Sequence, residues 1–585
     1  MNISKSPMSG LSPVVSQVRV DDMGVTSMLS RKGAVINVDH VIDEDEAKIL
    51  ALGYKQELKR EFSLWSLFSV SFSVLGLLPS IGACFDYQQL VIGITPLPWL
   101  IAMIFITAVA LSMAELASKF PVSSGTPYFV GMLSPPFAKA YLVWFTSWAN
   151  WLCQITAAPS VSYSCASMML ALYSFTSEYI PTNGHVFALS TGVLVASGVL
   201  CVLPSKWAAR INTAGMVCNV LFLAIVFVMM LAANKRVEIN GGGISKFNSS
   251  SIAWSITNQT DWPTGIAFLQ SWLGVIWAMS GYDSPMHLAE ECSNASVAVP
   301  KAICLVAVCG GAMGFFYLIA IAYLCVSIDE INADPQGLGQ PFVTYLSQVL
   351  DHRMVIAATA LTTISSFFMA QSCLLASSRV TYAYSRDRLF PFSNLWKRVS
   401  PWTQTPILAV ILNVVIGTLL LLLCFAGEVA ISAVFSIGAL SGFLSFTVPI
   451  LLKVTYAQKT FEPGPWHLGK FSQPIGWIAV AFVALMIPIL CFPYVKGSEL
   501  TPENMNWTSL IFGGPMLIFT IYFFVEAKKW YIGPLSNIDE ADITYEVNEH
   551  GDVEEKDHII PVYEGKEGSQ EESNSSISNK RSKDI

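Results

Sequence analysis

The chain has 585 residues, of which 53% are hydrophobic and only 13% charged, with a formal net charge of −8 and a mean hydropathy of +0.54. That balance excludes a soluble globular domain, and with no basic surface to meet phosphates it points to no nucleic-acid partner. The acidity is local: residues 539–585 hold 14 Asp and Glu against 5 Lys and Arg, which leaves residues 1–538 close to neutral.

Residues 1–60 read as a tail preceding the first apolar run, so no cleavable secretory signal is expected. A span of the hydrocarbon core needs about 20 mostly apolar residues. Runs of that kind between polar punctuation predict about twelve spans, near 63–85, 98–118, 138–174, 186–204, 212–233, 265–288, 301–326, 355–380, 406–425, 429–453, 474–494 and 509–527. The expected fold class is therefore an all-α polytopic membrane protein, with the lipid bilayer as its solvent. Residues 61–535 form the membrane domain, and residues 536–585 are an acidic, disordered tail with too few apolar residues to build a core. The tail is either a solvating appendage or a regulatory segment read by trafficking or ubiquitination machinery.

Lys and Arg in short connections set orientation. With the N-terminus in the cytosol, Lys119, Arg210, Arg386, Lys397, Lys459 and Lys528 all fall inside. Both termini are then cytosolic, in the plasma membrane or, as the alternative, a vacuolar or other endomembrane. The outer connections carry Asp86, Glu178, Asp329 and Asp334, together with three candidate glycosylation acceptors, Asn248, Asn258 and Asn506. The 12 cysteines stand singly with no metal-ligand or redox spacing, so no metal site, disulfide framework or cofactor is expected.

Two spans are interrupted. The first carries Gly76, Pro79 and Gly82, and the sixth carries Gly281 and Pro285 followed by acids and an imidazole. Each would open a bundle of five helices, which points to inverted repeats near 63–233 and 265–453 plus extra spans over 474–527. Irregular backbone and charge at membrane depth are tolerated only where they face protein or a wet cavity, so these breaks mark a binding site for a small polar molecule. Candidate substrate contacts are Ser73, Val74, Gly76 and Ser80 on the first span, Asn150 on the third, and Trp277, Ala278, Ser280, Gly281, Tyr282 and Asp283 on the sixth. For Ser73 and Ser80 the alternative is a hydroxyl returned to its own helix, and for Asn150, as for Gln154 one turn on, it is a helix-to-helix hydrogen bond. Trp277 and Tyr282 either pack or offer ring faces to a cationic amine, worth about 0.5–2 kcal/mol each.

Asp283, His287, Glu290 and Glu291 follow one another at about one-turn spacing and are candidates for coupling or gating, with Glu115 near the end of the second span as another. Acids at Glu290 and Glu291 could equally pair with bases. No nucleophile motif, phosphate loop or metal cluster suggests an enzyme.

The run Met113-Ala114-Glu115-Leu116-Ala117-Ser118-Lys119-Phe120-Pro121 and the run Gly281-Tyr282-Asp283-Ser284-Pro285-Met286-His287-Leu288-Ala289-Glu290-Glu291, with Val299-Pro300-Lys301 beyond it, resemble signatures of the amino acid-polyamine-organocation superfamily. Gly53-Tyr54-Lys55-Gln56-Glu57-Leu58, Gly76-Leu77-Leu78-Pro79-Ser80 and Ser385-Arg386-Asp387 are similar to fungal members of its amino acid/choline/GABA transporter branch, GABA permeases in particular. The resemblance covers residues 50–535. It implies a LeuT-type bundle of two inverted five-helix repeats and secondary active transport, with protons as the coupling ion and GABA or another amino acid as first substrate. Choline, polyamine or thiamine transport and a nutrient-sensing receptor are the alternatives. Ser124-Gly125 replaces the family's double glycine, and Phe85-Asp86-Tyr87-Gln88-Gln89 replaces a glycine-rich loop, which leaves the outer vestibule open to reshaping.

Overall fold

A computed structural model describes residues 15–21, 24–30, 35–42, 49, 52, 58, 60–177, 179–502 and 505–534. The acidic segment 536–585 lies outside the described residues. Within the N-terminal segment the backbone forms an antiparallel three-stranded sheet in the order β1 (Val15–Asp21), β2 (Gly24–Ser30), β3 (Val35–Ile42). The sequence reading did not anticipate it.

The membrane body is all-α. Among the described residues, eleven helices are long and apolar enough to cross a bilayer, and Thr264–Ala278 adds a shorter apolar segment. The shortfall from twelve is physical, because the sixth span never forms one continuous rod. The long third run is a single helix, Lys139–Thr176, which keeps its course through Pro159. Connections expected as loops are partly helical: Phe85–Ile92, Ile328–Ala333 and Pro341–Val349 sit over the end of the bundle away from most bases.

Both expected interruptions are present, and each has a backbone cause. The first span starts at Ser63, whose hydroxyl accepts the Ser66 amide, and runs over Leu64–Leu75. Gly76 then adopts a left-handed conformation (φ 42°, ψ 63°), and helix resumes at Leu77–Ala83. Pro79 has no amide hydrogen to give the Leu75 carbonyl one turn back, and the Ser80 hydroxyl donates there instead at 2.6 Å. In the sixth span, Trp272–Ala278 gives way to turns over Met279–Asp283, with Gly281 at φ 94°, before a short helix at Ser284–His287.

The two breaks meet. Pro285 has no amide hydrogen for the Gly281 carbonyl, which accepts the Ser284 amide at 3.2 Å and, across from the first span, the Ser71 hydroxyl at 2.7 Å. A β-carbon placed on Gly281 would overlap Val74 Cγ1.

The three sequon asparagines have structural employment. The carboxamide nitrogen of Asn248 donates to the carbonyls of Ala322 and Cys325, and that of Asn506 to those of Leu490 and Phe492. Asn258 donates to the Trp262 carbonyl. A glycosylated amide keeps one N–H, so a sugar on Asn248 or Asn506 would forfeit one of these bonds. All 12 cysteines are free.

Gly281→Ala joins a strained φ to the Val74 overlap and is expected to cost roughly 2–4 kcal/mol, read as a lower melting midpoint of the purified protein. Adding Val74→Ala relieves the overlap and restores part of the loss. An unchanged midpoint in Gly281→Ala would remove the close packing of the two breaks.

Candidate functional site

A cavity with about 760 Å³ of space outside the atoms lies where the broken spans meet the third, eighth (His352–Arg386) and tenth (Glu428–Val454) helices. Of the expected contacts, Val74, Trp277, Ser280, Gly281, Tyr282 and Asp283 line it. The third helix adds Cys153 and Gln154, the eighth Met369 and Cys373, and the tenth Phe443 and Phe446. Asp283 is the only Asp, Glu, Lys, Arg or His among these lining residues.

The remaining expected contacts lie behind the wall. Ser73 is fully buried and its hydroxyl donates to that of Ser372, which in turn donates to the Asn212 oxygen. Gly76 is covered by Met369, and Ser80 closes the break described above. Ala278 is buried beside Trp277. Asn150 serves between helices: its amide donates to the Tyr384 hydroxyl at 2.6 Å and its oxygen accepts from Ser445 at 3.2 Å. The partner amide Gln154 is the one that reaches the site.

Asp283 is 4% exposed. Its Oδ2 accepts the Gln154 amide at 2.7 Å and faces His287 Nε2 at 3.5 Å. His287 Nδ1 lies 3.2 Å from the Ser123 carbonyl oxygen, which can only accept, so Nδ1 carries a hydrogen. Nε2 then confronts the carboxylate with a lone pair unless one proton lies between the two groups. Asp283 and His287 stand together at the floor of the cavity.

Below that floor, carboxylates and bases join the helices. Glu290 accepts Arg386 through two nitrogens at 2.8 and 2.9 Å and the Ser123 amide at 3.0 Å. Glu291 accepts Arg379 Nε at 2.9 Å and the Ser205 hydroxyl at 2.8 Å. Glu115 accepts Lys453 at 2.5 Å, Ser472 at 2.6 Å and the Leu468 amide at 3.1 Å. The Ser124 hydroxyl donates to Asp387 at 3.0 Å. Two bonds from Arg386 and one from the Ser123 amide lock Glu290 to its base. The peptide nitrogens of Glu61 and Phe62 donate to the Glu291 carbonyl at 3.1 and 3.0 Å, so the start of the first span is tied to the same layer.

The opposite end is closed more thinly. The Trp277 ring sits 5.2 Å from Phe435, and Tyr87 and Tyr163 each lie 6.3 Å from Phe435. One aromatic layer separates the cavity from the space beyond it.

Pattern reading found the broken spans because Gly, Pro and intramembrane acids stand out. It missed Lys453, Arg379 and Arg386 as partners, since bases 88 to 338 positions from their acids carry no local signal. Gly438 and Gly442, spaced i, i+4 on the tenth helix and both lining the cavity, were a signal that could have placed that helix against the site.

Lys453→Met would leave the Glu115 carboxylate buried without its cation, at a cost of roughly 3 kcal/mol. Glu115→Gln with Lys453→Met is expected to recover most of that loss, measured as the melting midpoint of the purified protein. A double variant as unstable as the single one would show that the pair does not act as a unit.

Residues 62–517 match the family model described as amino acid permease. A Candida albicans protein named "Putative polyamine transporter" is 64% identical over 89% of this chain and 95% of its own length. An uncharacterised amino-acid permease of Schizosaccharomyces pombe is 48% identical over 86% of this chain and 92% of its own. The GABA-specific permease of Saccharomyces cerevisiae is 30% identical over 88% and 91%. With a family match across most of its length and a fold of two broken spans closing on one buried carboxylate, this chain belongs to the amino acid permease family of membrane transporters.

Proposed function

We propose that this permease imports a small organic cation, a polyamine first among them, by proton symport. The carrying observation is the charge inventory of the cavity: one carboxylate, Asp283, and among the described residues no Lys, Arg or His in the wall. An ammonium group meets a buried acid there, and Trp277, Tyr282, Phe443 and Phe446 offer it ring faces and cover for a hydrocarbon chain. The name of the Candida albicans relative supports the same reading. A zwitterion such as GABA would bring a carboxylate into a wall without a base; the name of the Saccharomyces cerevisiae relative favours it as the second reading. Choline and thiamine are further cations that the wall's charge would accept.

Coupling follows from the Asp283–His287 pair. A proton entering between them removes the lone-pair conflict, and its release on the other side favours return, so binding and gate movement are linked through one site. Glu115, Glu290 and Glu291 act as the gate in this scheme, through their bases. With Lys119, Arg388, Lys397 and Lys528 inside, the ion-pair layer faces the cytosol and the aromatic layer faces outward. The plasma membrane is the proposed site of residence.

In vesicles with an imposed proton gradient, spermidine is expected to compete best in a panel with choline, thiamine, GABA and neutral amino acids. Asp283→Asn should reduce uptake about 100-fold, as expected for removing one partner of a buried charge pair. His287→Gln should retain uptake but flatten its dependence on external pH. Proton-driven uptake unaltered in both variants, or competition by neutral amino acids alone, contradicts the proposal.

A further inference from the structure

One side chain of the cavity wall is bonded at only one of its two ends. Gln154, on the third helix, lines the cavity and is 7% exposed. Its carboxamide nitrogen donates to Asp283 Oδ2 at 2.7 Å. A carboxylate can only accept, so the ionised acid fixes which end of the carboxamide faces it. The carbonyl oxygen shares a carbon atom with that nitrogen and therefore stands beside the carboxylate. Among the described residues nothing donates a hydrogen bond to it.

Asn150, one turn earlier on the same helix, shows how a buried carboxamide is ordinarily employed. Its nitrogen donates to Tyr384 and its oxygen accepts from Ser445. An acceptor taken from water and left unbonded is unfavourable, and most such groups in folded proteins find a donor. At Gln154 the unbonded oxygen adjoins Asp283, the one carboxylate of a wall without Lys, Arg or His. The donor that completes this arrangement is a cation carrying N–H groups.

We propose that Gln154 determines specificity: its oxygen accepts one N–H of the substrate's ammonium while Asp283 holds the charge, so primary and secondary ammonium groups are preferred to quaternary ones. The inference rests on the organic-cation reading of the cavity. A quaternary nitrogen has no hydrogen to give and answers only to charge and ring faces, which Trp277 and Tyr282 offer to either kind of cation. An ammonium with N–H groups adds directional, charge-assisted bonds, roughly twice as strong as neutral ones. A half-turn of the amide would set two acceptors together at Asp283 and a donor against the ammonium. The bond from Gln154 to Asp283 thus keeps the oxygen on the substrate's side.

Butylammonium and butyltrimethylammonium, equal in charge and chain, are titrated calorimetrically into the purified parent chain and two variants. The parent is expected to bind butylammonium more tightly. Gln154→Met, which keeps the reach of the side chain without the acceptor, should weaken butylammonium about tenfold and leave butyltrimethylammonium within about twofold. Gln154→Glu keeps an acceptor at the same reach and should retain the preference; its loss there overturns the assignment whether or not the methionine chain folds. Crowding by methyl groups alone would give a preference that Gln154→Met leaves intact, and an amide that only orients Asp283 would on removal weaken both cations alike. Either result overturns the role of Gln154 while the organic-cation reading stands. Failure of both cations to bind the parent chain removes that reading, and the inference with it.

Discussion

The hydroxyl of Ser71 bonded to the carbonyl of Gly281 holds the architecture at its centre. Proline in each broken span deprives a carbonyl of its helical partner, and in lipid such a group must find a donor within the protein. Ser80 serves the first span from within, whereas the sixth receives its own Ser284 amide and, from outside, the Ser71 hydroxyl, and that outside bond turns two separate defects into one joint. Gly281 lets Val74 come close enough for the joint to be tight. Asp283 is then delivered to a cavity at membrane depth in place of a helix face buried among leucines.

The acids divide by what answers them. Glu115, Glu290 and Glu291 each meet a base and further donors, so their charge is spent on joining helices. Asp283 meets an amide and an imidazole, neither of which cancels its charge outright. Buried pairs cost as much desolvation as they return in attraction, which makes them poor sources of net stability and good devices for fixing one arrangement against another. A buried carboxylate without a full counter-charge has the opposite character, since its free energy changes with whatever enters the cavity.

The two closures differ in the same way. On one side, ion pairs tie the second helix to the tenth and the sixth to the eighth, and peptide hydrogen bonds add the start of the first; on the other, packing of a few rings suffices. Ring contacts separate without exposing charge, whereas each ion pair must be rehydrated when broken. The aromatic side is accordingly the easier one to open from this arrangement.

The sequence determined the class of the molecule and the location of its working parts. Span number and the paired interruptions were legible because lipid imposes a local rule: apolar residues in runs of a fixed length, with Gly, Pro or an acid admitted only for cause. That rule found Gly76, Gly281 and Asp283, and it raised the choice at Ser73, Ser80 and Asn150 without deciding it. The N-terminal sheet and the helices within the outer connections were not foreseen, because no bilayer disciplines those segments. Tertiary structure alone decided that Gln154 and not Asn150 faces the site, and that Glu115 meets Lys453. These outcomes depend on how helices rotate and approach one another, a matter of contacts between residues hundreds of positions apart, and one-dimensional spacing carries no record of them.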